Sequence, residues 1–301
     1  MGVIAIVFAL LIEQWRPLGA RAGLRSALAA WIGWLEETFN GGEERHGLVA
    51  WLAAVVPPVA AAIAVDLGLY ALSPLLALAF HVGVLYLTLG FRQRSHHFTE
   101  LQLAVKAGDI ERARVLLDAW RGASGVVRSR EEVIRLAIEE ALLAAHRHVF
   151  GVIFWYVLLP GPSGAILYRI AALLARRWQP LGAFGRFATR AFRVLEWPAV
   201  RATAAAFAVV GDFEDAVYCW RTQSRTWPDP EAGIVLAAGA GAMGVRLGKP
   251  VHEIEGMVPR VELGVGDAAD GPFLDSAVGL LWRALVVWVL ILFVLSVVRL
   301  L

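Results

Sequence analysis

The sequence predicts an all-α, polytopic integral membrane protein with about four transmembrane helices and a re-entrant helical hairpin. Three observations predict this fold. Charged residues make up 18% of the 301 positions and hydrophobic residues 58%, whereas soluble domains carry about 25% charged residues. Several long runs contain no Asp, Glu, Lys or Arg. The alternation of apolar and polar residues that is typical of half-buried strands does not recur.

Four apolar runs are candidates for transmembrane helices, each of which needs about 20 apolar residues. Residues 46–65 and 67–91 are free of charged side chains and predict a transmembrane hairpin whose connection is Asp66–Ser73. Residues 276–298 are interrupted only by Arg283, which can extend to the interface. Residues 1–12 are apolar and no cleavage pattern follows them, so we expect a retained first helix that continues past Glu13.

The segment 149–168 is uncharged but contains Pro160-Gly161-Pro162-Ser163-Gly164 in its middle. Two half-helices of about ten residues cannot each cross a bilayer. A broken backbone is tolerated at membrane depth where protein or a water-filled cavity satisfies it. These facts favour a re-entrant hairpin whose loop faces a cavity, and the alternative is a single kinked span.

The distribution of basic residues predicts the orientation in the membrane. Residues 92–147 contain ten Lys and Arg, whereas the Asp66–Ser73 connection contains none. Basic loops stay in the cytoplasm, so the long loop is predicted to be cytoplasmic and the N-terminus periplasmic. The basic segment 176–193 also favours the cytoplasm, and a re-entrant hairpin at 149–168 would return it there.

The segments between the apolar runs are predicted to be helical. Gly108 ends one helix and Asp109 caps the next, on which Ala113, Leu116, Leu117 and Trp120 share a face. Gly239, Gly241 and Gly244 have the spacing of a dinucleotide fingerprint but follow no strand, so we interpret them as a close-packing helix surface. The resulting division is 1–91 membrane helices, 92–148 cytoplasmic helical segment, 149–211 re-entrant and membrane-associated helices, 212–275 helical and loop segment, and 276–301 C-terminal transmembrane helix.

Composition excludes several classes of function. A net charge of +2 without a basic stripe gives no case for nucleic acid. The single Cys219 excludes an internal disulfide and any site with several cysteines. Neighbouring histidines, such as His96 and His97, diverge on a helix and cannot chelate a metal by themselves. We therefore predict no metal site.

The cavity implied by the broken hairpin is the candidate binding site. Gly161 and Gly164 would let backbone approach a ligand closely, and the half-helix beginning near Ser163 would direct N–H groups into the loop. Ionisable residues in apolar sequence usually face a cavity or a partner, so an anionic ligand is expected there. The candidate side chains are Tyr168, Arg169, Arg190 and Arg201. The alternatives are a packing kink without a ligand and, for Arg201, a structural ion pair with Glu196 or Asp212.

An ordered set of short stretches between about residues 101 and 250 resembles one family. The stretches are Ala107-Gly108-Asp109, Arg135–Glu139 (RLAIE), Phe154-Trp155, Gly161–Ala165, Tyr168-Arg169, Phe184-Gly185, Ala188–Arg190, Gly211-Asp212-Phe213, Pro230–Gly233 and Ala240–Gly248 (AGAMGVRLG). In this order they resemble the CobD/CbiB family, membrane proteins of cobalamin biosynthesis. The middle stretches equally resemble AmpE, a membrane relative linked to β-lactamase regulation.

The CobD/CbiB resemblance implies a reaction and a location. The family joins aminopropanol phosphate, or a close amine, to the carboxylate of adenosylcobyric acid, and ATP and Mg²⁺ are implied as cofactors. The resemblance also implies the bacterial cytoplasmic (inner) membrane, with lipid, a corrinoid ligand and other cobalamin-pathway proteins as partners. Glu139 becomes the candidate catalytic residue, and Arg246 joins the candidate substrate-binding residues.

Several acidic positions of the family pattern differ in this chain. The run before Phe154-Trp155 that is Glu-Asn-x-x-Asp-Gly in the family reads Leu143–His148, and later Asn-Thr-Leu-Asp and Asp-Asp runs read Ala172–Ala175 and Phe192-Arg193. Mg²⁺ prefers oxygen ligands, so these differences remove ligands that ATP-dependent ligation needs. Two functions stay open: a membrane-bound amide-forming step of corrinoid assembly or a supporting role in it, and a non-catalytic AmpE-like sensor or scaffold.

Overall fold

A computed structural model describes residues 2–15, 21–122, 128–253, 256–258 and 260–298. Helices dominate this part of the chain. In chain order they are α1 Gly2–Trp15, α2 Arg21–Phe39, α3 Glu44–Leu72, α4 Pro74–Thr88, α5 Phe91–Lys106, α6 Ile110–Arg121, α7 Arg130–Ala145, α8 Gly151–Leu158, α9 Ser163–Trp178, α10 Arg186–Val210, α11 Phe213–Gln223, α12 Pro230–Met243 and α13 Gly271–Val298. The predicted all-α fold is confirmed.

Three helical stretches in the described residues are long and apolar enough to cross a membrane: Glu44–Leu72, Arg130–Leu158 and Gly271–Val298. The second comprises α7, a π-helical turn at His146–Phe150 and α8. Shorter apolar helices cover Gly2–Glu13, Pro74–Thr88 and Pro230–Met243. The protein is thus a polytopic α-helical membrane protein, as predicted.

The chain forms two compact units. Unit 1 comprises Met1–Gly90 and Gly151–Ala199, and unit 2 comprises Phe91–Phe150 and Val200–Leu301. The core of unit 1 gathers α2, α3, α9 and the start of α10 around the fully buried Trp178 and Phe184. Helix α2 contributes Ile32 and Leu35, three residues apart on one face. This helix was not predicted, because its apolar run, residues 27–35, is about half as long as a transmembrane helix.

The connection between α3 and α4 is shorter than the sequence suggested. The predicted Asp66–Ser73 connection is wrong, because α3 continues to Leu72 and the reversal occurs at Ser73. The Ser73 side chain accepts a hydrogen bond from Leu75 N at 3.3 Å, and Pro74 occupies the first turn of α4. Proline lacks the N–H donor that a continuing helix would need, so the chain restarts there as a new helix. Asp66 therefore lies inside α3.

Helices α8 and α9 form an antiparallel hairpin, as the glycine contacts between them show. A β-carbon at Gly164 would lie 1.9 Å from the carbonyl oxygen of Trp155, and one at Gly151 would lie 2.5 Å from the Tyr168 hydroxyl. Each pair joins a residue before the turn at residues 159–162 to a residue about equally far after it, so the chain reverses there. The reversal agrees with the predicted hairpin and not with a single kinked helix. The first arm, α8, belongs to the 29-residue stretch Arg130–Leu158, so re-entry of the hairpin into the membrane stays a prediction.

Unit 2 contains the predicted caps and packing surfaces. Asp109 Oδ1 accepts from Arg112 N at 3.0 Å, and Ala113, Leu117 and Trp120 are buried on α6, while Leu116 is half-buried. The small-residue surface of α12 packs closely, because a β-carbon at Gly239 would lie 2.8 Å from a Leu142 methyl group and one at Gly241 would lie 2.4 Å from Asp215 O. This packing confirms the interpretation for Gly239 and Gly241, whereas Gly244 has no atom within 4 Å of an added β-carbon and ends α12 in a left-handed conformation.

Four very short strands follow α12 in the described residues. They are β1 Val245–Arg246, β2 Val251–Glu253, β3 Gly256–Val258 and β4 Asp267–Ala268. Strand β1 pairs with β4 in parallel, and β2 pairs with β3 antiparallel. Two or three residues are too few to show the period-2 alternation by which a strand is recognised in sequence.

Candidate functional site

Unit 1 contains a chain of hydrogen bonds between three of its apolar helices. Asp66 on α3 and His81 on α4 are joined by a 2.7 Å contact from Oδ1 to Nε2. On its other side, His81 Nδ1 lies 2.7 Å from the hydroxyl of Tyr156 on α8. Ionisable residues within membrane helices are costly and usually mark a functional site. This Asp66–His81–Tyr156 cluster is the candidate functional site.

The turn of the α8–α9 hairpin lies against this cluster. Gly161 has a φ of +58°, a left-handed conformation that favours glycine. A β-carbon at Gly161 would lie 2.4 Å from Asp66 Oδ2, so a larger residue would displace the carboxylate. Ser163 Oγ donates to Pro160 O at 2.6 Å and stabilises the turn. The predicted close approach at Gly161 therefore occurs, toward a carboxylate of the protein.

The other unit 1 candidates have packing or surface environments. Gly164 lies against the backbone of α8, and Tyr168 is fully buried, with its ring centroid 5.5 Å from that of Phe192. Arg169 is half-buried on α9. Arg190 is exposed on α10 and forms an ion pair with Glu44 at the start of α3. The structure joins Gly161 to the polar cluster and gives these four residues separate environments, so their ligand-binding role stays a prediction.

Unit 2 holds the candidate catalytic residue, Glu139, within a second polar cluster. Glu139 is 5% exposed, and its Oε1 accepts from Gly248 N at 3.0 Å and from Arg135 Nη1 at 3.3 Å. Its Oε2 lies 3.4 Å from Arg260 Nη1. Arg135 also donates to the carbonyl of Lys249 at 3.2 Å. Both oxygens of Glu139 are thus engaged by protein groups.

These bonds hold a backbone segment in an uncommon conformation. Gly248 has a φ of +83° and Lys249 a φ of +57°, the latter unusual for a residue with a β-carbon. Arg135 binds the carbonyls of Lys249 and Pro250, and Glu139 binds the Gly248 amide. These contacts give Glu139 a structural role, and its catalytic role stays a prediction.

The two remaining arginines of the prediction belong to unit 2 and form ion pairs. Arg201 Nη1 lies 3.5 Å from Glu231 Oε2, a partner that the sequence did not suggest. Arg246 Nη1 lies 3.5 Å from Glu262 Oε1. Both arginines are half-buried. Ion pairing is the alternative that the sequence analysis kept for Arg201, and binding of an anion by either side chain stays a prediction.

The cofactors implied by the resemblance require a set of oxygen ligands. Mg²⁺ with a triphosphate is usually held by carboxylates together with phosphate oxygens and water. In the described part of the chain, no three His, Cys, Asp or Glu side chains are grouped so that they could hold a metal ion. Glu139, the family-like carboxylate, already contacts two arginines and an amide. Binding of Mg²⁺ and ATP, which the resemblance implies, stays a prediction.

Sequence reasoning missed Asp66, His81 and Tyr156, although one signal pointed to them. Asp66 is the one charged residue between two uncharged runs and was interpreted as the end of a span. A carboxylate flanked by about 20 apolar residues on each side can equally lie within a helix, where it needs a partner. His81, in the following run, is the polar residue that could have been paired with it.

These features define a polytopic membrane protein with an internal polar site. They are the apolar helices, the hairpin with its glycine turn, and the polar cluster between helices. The model of the family described as CobD/Cbib protein matches residues 8–295. The chain therefore belongs to the CobD/CbiB family of cobalamin biosynthesis proteins.

Curated relatives agree with this family. The chain is 32% identical over 297 residues to the cobalamin biosynthesis protein CobD of Stutzerimonas stutzeri, covering 96% of each chain. It is 35% identical over 221 residues to the protein of the same name from Chromobacterium violaceum, covering 71% of this chain and 70% of the relative. These relatives do not favour the AmpE-like alternative. No solved structure matches the chain.

Proposed function

We propose that this protein serves the membrane step of cobalamin biosynthesis that joins aminopropanol phosphate to adenosylcobyric acid. The observation that carries the proposal is the similarity to a CobD protein over 96% of both chains. Corresponding lengths mean that the whole membrane scaffold, rather than one motif, is shared. In this role the protein binds the corrinoid or the amine, or both.

Two forms of this function remain, and each has its own observation. The full-length similarity favours the synthase itself. The differences at acidic positions of the family pattern, in Leu143–His148, Ala172–Ala175 and Phe192-Arg193, favour a supporting protein that binds a substrate while another component supplies the ATP-dependent activation. We propose the supporting form, with Glu139 as a structural residue.

Complementation separates the two forms. The chain is expressed in a strain that lacks its own synthase and is supplied with cobyric acid, and binding of adenosylcobyric acid to the purified protein is measured in parallel. Binding without growth is expected from the supporting form, and growth would establish the synthase. A correctly inserted protein that binds neither adenosylcobyric acid nor aminopropanol phosphate would overturn both forms.

The location proposed with this function is the bacterial inner membrane, with the N-terminus in the periplasm. Ten basic residues in 92–147 support a cytoplasmic side for that segment. The start of α1 lies beside Tyr156, since a β-carbon at Gly2 would be 3.7 Å from its ring. Tyr156 in turn contacts His81 on α4, which follows a connection without basic residues. This proximity supports placing the start of α1 toward the periplasmic side.

A further inference from the structure

Helix α13 borders an open groove whose lining includes no residue of either polar cluster. The groove has a volume of about 410 Å³ and lies in unit 2, against the end of α10. One charged side chain lies among apolar ones. The lining residues are Val210, Trp282, Arg283, Val286 and Val287. Trp282 and Val286 are 44% and 53% exposed, so the groove opens to the surroundings of the protein.

Arg283 is the charged residue of this groove. Its Nε donates to Gly279 O at 3.2 Å, one turn back on the same helix. Within the described residues Arg283 forms no ion pair, whereas Arg201 and Arg246 of the same unit each lie 3.5 Å from a glutamate. A charged residue in an apolar segment needs a partner or the membrane interface, and the Nη groups of arginine can bind a phosphate bidentately.

The position of Arg283 along α13 places it near an edge of the membrane. The 15 residues 284–298 are uncharged, and Arg299 follows them in the sequence. At 1.5 Å per residue they span about 22 Å, which is shorter than the hydrocarbon core of about 30 Å. Arginine side chains extend along a helix toward the interface and can cover the difference. Lipid phosphates at that interface are therefore within reach of Arg283.

The contacts at the start of α13 indicate which side of the membrane this edge belongs to. Asp275 Oδ1 lies 2.9 Å from Lys106 Nζ and accepts from Gln102 Nε2 at 2.7 Å, both on α5. Helix α5 opens the basic segment 92–147, whose proposed side is cytoplasmic. Arg283 lies eight residues beyond Asp275, or about 12 Å along the helix, and therefore at the cytoplasmic edge. Basic pockets between transmembrane helices on this side bind anionic lipid headgroups.

We propose that this groove binds one anionic phospholipid of the cytoplasmic leaflet. Arg283 binds its phosphate, and Val210, Val286 and Val287 contact the first part of an acyl chain. Trp282 lies at the level of the headgroups, where tryptophan is enriched. The leaflet rests on the proposed orientation, whereas the site itself does not depend on the reaction that the protein serves.

The test compares two lipids that differ in charge. Full-length protein in micelles is titrated with phosphatidylglycerol or with phosphatidylethanolamine of the same acyl chains, and native mass spectrometry measures the Kd of the first bound lipid. Phosphatidylethanolamine carries its own ammonium group, so phosphatidylglycerol should bind more tightly beside Arg283. Arg283→Gln should weaken phosphatidylglycerol about tenfold, as expected for a lost charge-assisted hydrogen bond, and bring the two lipids to similar affinity.

Two further variants separate the groove from general surface charge. Arg193→Gln removes an exposed arginine on α10 and should bind phosphatidylglycerol as the unchanged protein does. Val286→Trp keeps the charge but fills the groove, and it should weaken phosphatidylglycerol several-fold. Positions 283 and 286 are exposed, so both variants should retain the helical circular dichroism of the unchanged protein. Equal losses in Arg283→Gln and Arg193→Gln, or no loss in Val286→Trp, would overturn the inference.

Other occupants of the groove give different outcomes. Glycerol 3-phosphate, which lacks the acyl chains, should not displace the lipid at equal concentration, and displacement would indicate a phosphate site instead. Dimers of the unchanged protein that Val286→Trp converts to monomers would assign the groove to a second copy. Loss of adenosylcobyric acid binding in Arg283→Gln would assign it to the corrinoid, which contradicts the lipid site and supports the proposed function. Lipid binding that depends on Arg283, in a protein that does not bind adenosylcobyric acid, would support the lipid site alone.

Discussion

The two units each contain a buried carboxylate among polar partners, and the partners differ in one decisive way. In unit 2 both oxygens of Glu139 are engaged, by the Gly248 amide, Arg135 and Arg260. In unit 1 Asp66 uses one oxygen for His81 and leaves the other beside Gly161. A saturated carboxylate between two arginines stabilises a fold, because its removal leaves uncompensated buried charge. A carboxylate with an unused acceptor can bind a ligand.

The structure reverses the order of functional importance that the sequence suggested for Glu139 and Asp66. Glu139 was selected because it lies in a family-like stretch, and Asp66 was passed over because it lies between apolar runs. Position in a motif does not show whether an acceptor is already occupied. The number of hydrogen bonds that each oxygen makes is a property of the folded chain, and it separates the two residues.

The largest effect is expected from Glu139→Gln. The amide can still accept from Gly248 N, but Arg135 and Arg260 lose the negative charge between them. Breaking a buried ion pair by removing one partner costs about 3–5 kcal/mol. The measurement is the midpoint of denaturant unfolding in mixed micelles, followed by tryptophan fluorescence.

A matched control lies on the same helix. Glu131→Gln removes an exposed carboxylate that pairs with Lys249 at 2.8 Å, and an exposed pair contributes about 0–1 kcal/mol. If the two glutamine variants shifted the midpoint equally, Glu139 would not be the structural residue that we infer. Loss of function without loss of stability in Glu139→Gln would then favour the catalytic prediction.

A smaller loss of stability is expected from Gly164→Ala, which acts on the hairpin that positions Gly161. The added methyl group would lie 1.9 Å from Trp155 O, so α8 and α9 must separate. Overpacking of this kind costs about 1–3 kcal/mol. Gly68→Ala is the control, because no atom lies within 4 Å of the added group and alanine favours a helix interior over glycine. Equal midpoints for the two variants would contradict the hairpin packing.

Much of the fold could be predicted from the sequence, because it depends on local signals. The uncharged runs predicted α3, α4 and α13, and Asp109 predicted the boundary between α5 and α6. Helix α2 was missed because its apolar run, residues 27–35, is about half as long as a transmembrane helix. The end of α3 was misplaced because hydropathy treats Asp66 as a break, whereas a side chain with a partner on another helix can remain within the apolar helix.

The candidate site was less predictable, since its contacts are distant in sequence. His81 is 15 residues from Asp66, and Tyr156 is 75 residues from His81. Local patterns cannot show which helices pack together at such separations. The turn at Gly161 was predicted because a glycine between two prolines is a strong turn signal. The contact of Gly161 with Asp66 Oδ2 depends on how α3 packs against the hairpin, which the sequence does not show.

Asp66→Asn should cost less stability than Glu139→Gln. The Asp66 and His81 side chains are 18% and 14% exposed and are therefore less enclosed than the Glu139 side chain, which is 6% exposed. The net contribution of such a bond is about 1 kcal/mol, and asparagine can still accept from His81. We expect the free energy of unfolding, obtained from the denaturant midpoint, to change by no more than this amount. A loss of stability as large as that of Glu139→Gln would make Asp66 a second structural carboxylate and remove the contrast between the units.

The smallest effect is expected from cysteine substitutions at exposed positions, which test the orientation without altering either cluster. The native Cys219 is fully buried, and burial, followed by the charge of Asp215, raises the pKa of its thiol to about 11. Because the thiolate is the reactive form, the unchanged protein should label very slowly with maleimide at neutral pH.

Ala119→Cys on α6, Arg193→Cys on α10 and Leu72→Cys at the end of α3 are each exposed. With an impermeant maleimide on intact cells, Leu72→Cys should label, while the other two should label after the membrane is opened, as the basic segments favour the cytoplasm. External labelling of Arg193→Cys with Ala119→Cys protected would show that the chain crosses the membrane between them, and the α8–α9 hairpin would then not return its second arm to the cytoplasmic side.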